Sequence, residues 1–296
     1  MRRPVSEGGA QWVETVAVPE TEDPLPEILI VPSRGLPTLG LHEISRYREL
    51  LYFLVWRDIK VRYKQTALGV AWAILQPLLT VFVFTLFFNR VAGITTGDIP
   101  YALFSLSGMI PWLFFANGVT FASGSVVSNV NLVTKVYFPR LVIPIAAVLG
   151  NLPDLAIGFV LLLVVMAFYG FVPTVAILAV PLVLLLVFAI ALGVSFWLSA
   201  LSVEFRDVRY VVPLLVQVWL LASPVAYSLS HVHSKWKAVL GLNPMTGAIE
   251  LFRWAMLGTA APPVTTVAVS CAVTVATLLS GAYYYRTMER KFADIA

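Results

Sequence analysis

Only 12% of this 296-residue chain is charged, against 59% hydrophobic residues and a mean hydropathy of +0.86. Soluble domains carry about 25% charged residues, so the composition excludes a pair of soluble domains and predicts one polytopic membrane domain. The net charge of +4 does not point to nucleic acid, because the placement of basic residues matters more than their sum, and the single cysteine, Cys271, excludes an internal disulfide or a cysteine-rich metal site.

Residues 1–40 hold acids and six prolines without an apolar run, which reads as a flexible cytoplasmic tail with no cleavable signal peptide. The stretch LHEISRYRELLYFLVW, residues 41–56, follows. On a helical wheel Ile44, Tyr47, Leu50, Leu51, Leu54 and Val55 share one broad face, with Ser45, Arg46 and Glu49 opposite. That pattern predicts an amphipathic helix lying in the headgroup plane. Directly after it, WRDIKVRYKQTALGVAWAILQP crowds Arg57, Lys60, Arg62 and Lys64 ahead of more than twenty uncharged residues. Arg57, Lys60 and Lys64 fall on one side of the wheel, suited to anionic lipid headgroups or to plain topology anchoring. Asp58 and Arg62 are spaced for an i,i+4 pair.

Six apolar segments come next, at about 67–90, 102–128, 141–169, 174–202, 208–229 and 263–285. Each is near or above the roughly 20 residues a helix needs to cross the hydrocarbon. HVHSKWKAVLGLNPMTGAIELFRWAML, between the last two, is only half apolar and predicts a pair of short helices dipping in from one side. With the N-terminus inside, sixteen Lys and Arg residues fall on inner segments. Only Arg90, Lys235, Lys237 and Arg253 fall outside. The bias predicts that both termini are cytoplasmic, with residues 291–296 forming a short C-terminal end.

No G-x-x-x-x-G-K-[ST], H-E-x-x-H or G-x-S-x-G motif is present, so the chain lacks the signatures of P-loop hydrolysis, zincin and serine-hydrolase chemistry. His231 and His233 have no acids beside them, and no metal is expected there. Asp154 is the one acid deep inside a predicted span. An ionised carboxylate at that depth costs about 2.5–3.5 kcal/mol on insertion scales, so it requires a partner, water or the bundle interior. Its two readings are a polar site on a substrate path or subunit contact, and a structural hydrogen bond. Trp72, Gln76, Leu79, Val83 and Phe87 form one stripe in the first span; Tyr210, Pro213, Gln217, Leu221, Pro224 and Ser228 form another in the fifth. Rings and amides on an apolar face suit a sugar chain, and they also suit helix packing with polar glue. Two compact inner connections, NVNLVTKVYFPR (129–140) and VEFRDVRY (203–210), stand where an external machine could push.

In type, order and spacing, RDIKVRYKQTALGVAWAILQPLLTVFVFTLFF, NVNLVTKVYFPRLVIP, VEFRDVRYVVPLLVQVWLLASPVAY and LNPMTGAIELFR resemble the membrane subunit of polysaccharide-export ATP-binding-cassette transporters. These carry O-antigen, teichoic acid and related lipid-linked glycans. The resemblance covers about 41–290 and leaves the tail unexplained. It implies an all-α permease of the bacterial inner membrane with six spans, an N-terminal interface helix and re-entrant helices at about 231–258. It further implies a homodimer with a channel on its axis, bound to two copies of an ATPase subunit that holds the ATP and Mg; no cofactor belongs to this chain.

Set onto this sequence, Ile44, Tyr47, Leu51 and Leu54 would belong to the interface helix. Asn131, Leu132, Lys135, Tyr137, Phe138 and Arg140 would couple to the ATPase. Trp72, Gln76, Val83, Phe87, Tyr210, Gln217, Leu221 and Ser228 would line the channel. Arg57, Lys60, Arg62 and Lys64 would meet the lipid headgroup, and Asp154 stands apart as an intramembrane acid. Two other readings compete. A small-molecule or drug exporter of the same fold would not depend on a lipid-linked sugar. A membrane glycosyl or acyl transferase would need clustered acids or histidines, and only Glu204 with Asp207, and Asp154, come near.

Overall fold

The computed structural model describes residues 45–64, 69–229, 232, 234–289 and 292; the expected tail, Ile44, His231 and His233 lie outside them. Among the described residues every regular element is a helix. Helix α1 spans Arg48–Lys64, with Glu49 in its first turn and Arg62 and Lys64 in its last, matching the helix dipole at both ends. Leu54 is buried, and Tyr47, Leu50, Leu51 and Val55 pack half-buried in the same cluster. Tyr52, Phe53 and Val61 point outward and are largely exposed.

Among the described residues five stretches are long and apolar enough to cross a membrane: Ala71–Val91, Tyr101–Ser128, Val142–Phe168, Val175–Glu204 and Val264–Glu289. The first is α2, Gly69–Phe84, prolonged by a π-helical turn at Thr85–Val91. The second is α3, Tyr101–Ser128, the hub of the bundle, mostly buried on all sides. Its helix-forming run is interrupted by small residues, which let neighbouring helices approach closely. The connection that follows contains a six-residue helix, α4, Val130–Lys135.

The expected third span is two helices, α5 (Val142–Leu149) and α6 (Leu152–Phe168). The chain restarts at Gly150–Asn151 because Pro153, placed in the first turn of α6, has no N–H to continue the ladder. Asn151 Nδ2 donates back to the Ala147 carbonyl at 2.8 Å and bridges the break. A 3₁₀ turn, Val175–Ala179, leads into α7, Val180–Glu204. Helix α7 crosses α11, Val264–Glu289, at a pair of glycines. A Cβ on Gly281 would lie 2.5 Å from the Gly193 carbonyl oxygen, so this crossing admits only glycine.

The expected fifth span, 208–229, is helical only over α8, Val208–Leu221. Pro224 explains the stop: it lacks an amide donor and drives Ser223 out of the helical region. The Asn243 amide then donates to the Ala222 carbonyl and to Ser223 Oγ, satisfying the freed end. Arg209 lies against Gly124, near the last turn of α3, while the Tyr101 hydroxyl, in its first, donates to the Ala226 carbonyl at 2.6 Å. Residues 209–226 therefore run along nearly all of α3, roughly 35 Å at 1.5 Å per residue. Two short helices follow, α9 (Ser234–Gly241) and α10 (Pro244–Leu257). Asn243 caps α10 by accepting from the Met245 amide, Pro244 sits at its first turn, and Gly258 ends it at φ 66°.

Candidate functional site

Three sets of sequence-predicted residues meet at one cavity. It lies among α2, α3 and α6, has a volume of about 580 Å³, and is capped by the C-terminal turn of α1. Helix α1 supplies Arg62 and Tyr63, α2 supplies Trp72 and Gln76, α3 supplies Asn117 and Phe121, and α6 supplies Asp154. The size is that of a small-molecule pocket.

The polar end of the cavity is organised around Asp154. Arg62 Nη1 donates to Asp154 Oδ2 at 2.5 Å and to Asn151 Oδ1 at 2.8 Å, and the Tyr63 hydroxyl donates to the other carboxylate oxygen. The Arg62 guanidinium also stacks over the Phe121 ring at 4.4 Å. Burial, and then the hydrogen bond to Asp154 and its charge, push the Tyr63 phenol above the usual tyrosine range, so it stays a donor. The i,i+4 pair expected between Asp58 and Arg62 gives way to this arrangement. Asp58 instead accepts from Arg57 at 2.8 and 3.0 Å, because Arg62 reaches across to α6.

The four predicted headgroup cations thus divide. Arg57 is turned inward, donating to Asn129 Oδ1 at 2.8 Å as well as to Asp58, and Arg62 is held by Asp154. Lys60 and Lys64 are exposed, with the Lys60 ammonium 5.1 Å from the Trp56 ring.

The loop expected to couple to an ATPase is anchored at both ends. Asn129, the N-cap residue of α4, is held by Arg57. At the other end the Arg140 amide donates to Glu289 at 2.9 Å, its guanidinium donates to the Glu289 carbonyl, and the Tyr285 hydroxyl donates to the Arg140 carbonyl. Phe138 is buried and Leu132 half-buried in the same core. Asn131, Lys135 and Tyr137 are exposed, Tyr137 at 79%.

The two stripes are not joined within one chain. Trp72 and Gln76 border the cavity, whereas Val83 and Phe87 stand exposed farther along α2 and its π-helical turn. On α8, Tyr210, Gln217 and Leu221 are exposed; Ser228 lies past the helix end, in a second hollow of about 680 Å³ with Glu250 and Arg253. Arg253, expected at the outer surface, is 1% exposed. It donates to the Val225 and Phe104 carbonyls, pairs with Glu250 at 3.1 Å and covers the Phe104 ring at 3.6 Å.

Sequence reasoning missed Tyr63, Asn117, Phe121 and Asn151. The amides in FFANGV and LGNLPD were visible signals, since each is a polar residue inside an apolar span.

Known proteins give this architecture a family. The model of the ABC-2 type transporter membrane family matches residues 49–257. The chain is 30% identical to an O-antigen export system permease protein, RfbA, of Myxococcus xanthus, over 86% of this chain and 98% of that one. It is 28% identical to the RfbA protein of Klebsiella pneumoniae over 69% and 79% of the two chains. Against the polysialic acid transport protein KpsM of Escherichia coli the figures are 24% identity, 80% and 92%. With the family model matching most of its length and a relative 30% identical over 86% of it, this chain belongs to the ABC-2 type transporter membrane family.

Proposed function

We propose that the chain is the transmembrane subunit of an ATP-driven exporter that moves a lipid-linked polysaccharide out of the cytoplasm across the bacterial inner membrane. Relatives named for O-antigen export and polysialic acid transport support the cargo class. Two copies enclose the path. The exposed stripes on α2 and α8 support this, because Val83 and Phe87 on one and Tyr210, Gln217 and Leu221 on the other are exposed in one protomer and available to a channel shared with a second. Weak, repeated contacts of this kind hold a polymer without trapping it.

The observation that carries the ATP-driven reading is the loop at 129–140. It is bolted to α1 by Arg57 and to α11 by Glu289, while Asn131, Lys135 and Tyr137 face outward. An ATPase dimer closing beneath it would push α1 and α11 together through those bonds. Here α1 acts as the interface helix, and α9 with α10 forms the re-entrant outer gate. The segment 208–229 completes a sixth crossing, part helix and part turn, and both termini lie in the cytoplasm. ATP and Mg belong to the partner subunit. Exposed Lys60 and Lys64 meet the anionic lipid headgroup at the inner leaflet.

Deletion of the gene tests the reading. It predicts loss of surface polysaccharide with lipid-linked glycan accumulating on the cytoplasmic side, restored by the intact chain. Normal surface polysaccharide in the deletion strain would overturn it.

A further inference from the structure

The cavity among α2, α3 and α6 contains no residue of α8 and takes only Trp72 and Gln76 from the α2 stripe, so it opens to the side of a channel built on the two stripes. Its chemistry is selective. The Arg62 cation touches the Asp154 anion at 2.5 Å, which leaves the polar end close to neutral and unsuited to holding a phosphate. Gln76 and Asn117 border the same space, and neither side-chain amide has a hydrogen-bond partner among the described residues. A hydrocarbon tail would leave the half-buried Asn117 amide unsatisfied, at a cost that proteins avoid. The remaining walls are apolar, with Pro77, Ile110, Leu113 and Leu155 alongside the exposed Trp72 ring and Phe114. The occupant that satisfies all of these groups is neutral and rich in hydroxyls, with flat CH faces for the tryptophan ring.

We infer that this intrasubunit cavity holds one sugar residue of the cargo, the residue nearest its lipid anchor. The inference rests on the polysaccharide-export reading and assigns it a station in which Asn117 of α3 and the Arg62–Tyr63–Asp154 cluster join the first two residues of the α2 stripe. Position argues for the lipid-proximal residue. Arg62 and Tyr63 line the cavity from the last turn of α1, the helix that also carries exposed Lys60 and Lys64, so a headgroup phosphate held by those lysines leaves its first sugar beside Arg62 and Tyr63. Asn117 and Gln76 then bond its hydroxyls while Trp72 covers one face.

Photo-cross-linking in exporting cells tests this. A benzophenone amino acid, p-benzoylphenylalanine, replaces Leu113 in the cavity, Gln217 on the α8 stripe, or Val160 on the exposed face of α6. After irradiation the purified full-length chain is stained for saccharide and its adducts are weighed. The expected result is a saccharide-bearing adduct at position 113 and none at position 160. Adding Asn117→Leu lowers the yield at 113 about threefold to tenfold, the worth of one hydrogen bond, and Asn117→Gln restores part of it. Saccharide captured at 217 but not at 113 overturns the cavity assignment and leaves the export reading standing. A phospholipid adduct without sugar at 113 also overturns the assignment, as does a yield unmoved by Asn117→Leu. Saccharide at none of the positions removes both readings together.

Discussion

Asp154 and Arg62, 92 positions apart in sequence, meet at 2.5 Å and fasten the C-terminal turn of α1 to the third membrane segment. Each side chain is 23% exposed, so water reaches the pair but does not surround it. An acid that looks isolated in its own span is thereby neutralised by a helix that precedes the first span. The cost of placing charge in the membrane is offset by a bond that also fixes where α1 sits.

Breaking the pair singly leaves a poorly solvated charge. Fully buried pairs lose about 3–5 kcal/mol on such a change, and partial exposure reduces this to about 2 kcal/mol. Asp154→Asn and Arg62→Gln should each lower the thermal midpoint of the detergent-purified chain. The double variant Arg62→Gln/Asp154→Asn should recover most of the loss. Equal destabilisation by single and double variants would show that the charges are not coupled.

Asn129→Ala removes the acceptor that ties Arg57 to the N-cap of α4. The expected outcome in the reconstituted complex is uncoupling: ATP hydrolysis persists while glycolipid transport per ATP falls severalfold. Transport per ATP equal to the parent complex would show that α1 does not relay movement through this bond.

Lys135→Glu and Tyr137→Ala alter exposed side chains and should leave folding within about 0.5 kcal/mol of the parent. Co-purification with the ATPase subunit should drop sharply for the pair combined. Undiminished co-purification would place the docking surface elsewhere.

How much of this was legible beforehand varies by element. The apolar runs marked α2, α3, α7 and α11 closely, because about twenty uncharged residues have few other uses. The break at Gly150–Asn151 and the stop at Leu221 were not read, although NLPD and ASPV carry the prolines that cause them. Membrane helices tolerate proline when neighbours supply partners, so the effect of Pro153 and Pro224 depended on packing that the sequence does not display. The partner of Asp154 was beyond reach for a similar reason. A wheel compares residues three or four apart and assigned Arg62 to Asp58, whereas the fold joined it to α6.

Gly281→Leu places a side chain where even a Cβ meets the Gly193 carbonyl at 2.5 Å. Overpacking of this kind costs about 1–3 kcal/mol or more. The expected result is a large fall in the amount of folded protein extracted from membranes. The exposed neighbour Leu279, changed to Ala, serves as the control. Parent-like yield for Gly281→Leu would mean that α7 and α11 do not cross at this glycine pair.

Transport in proteoliposomes addresses the central claim most directly. The purified chain is reconstituted with lipid-linked glycan, with and without its ATPase subunit and ATP, and the glycan reaching the opposite leaflet is measured. Movement is predicted only when both the ATPase and ATP are present. Equal movement by this chain without the ATPase would contradict the account.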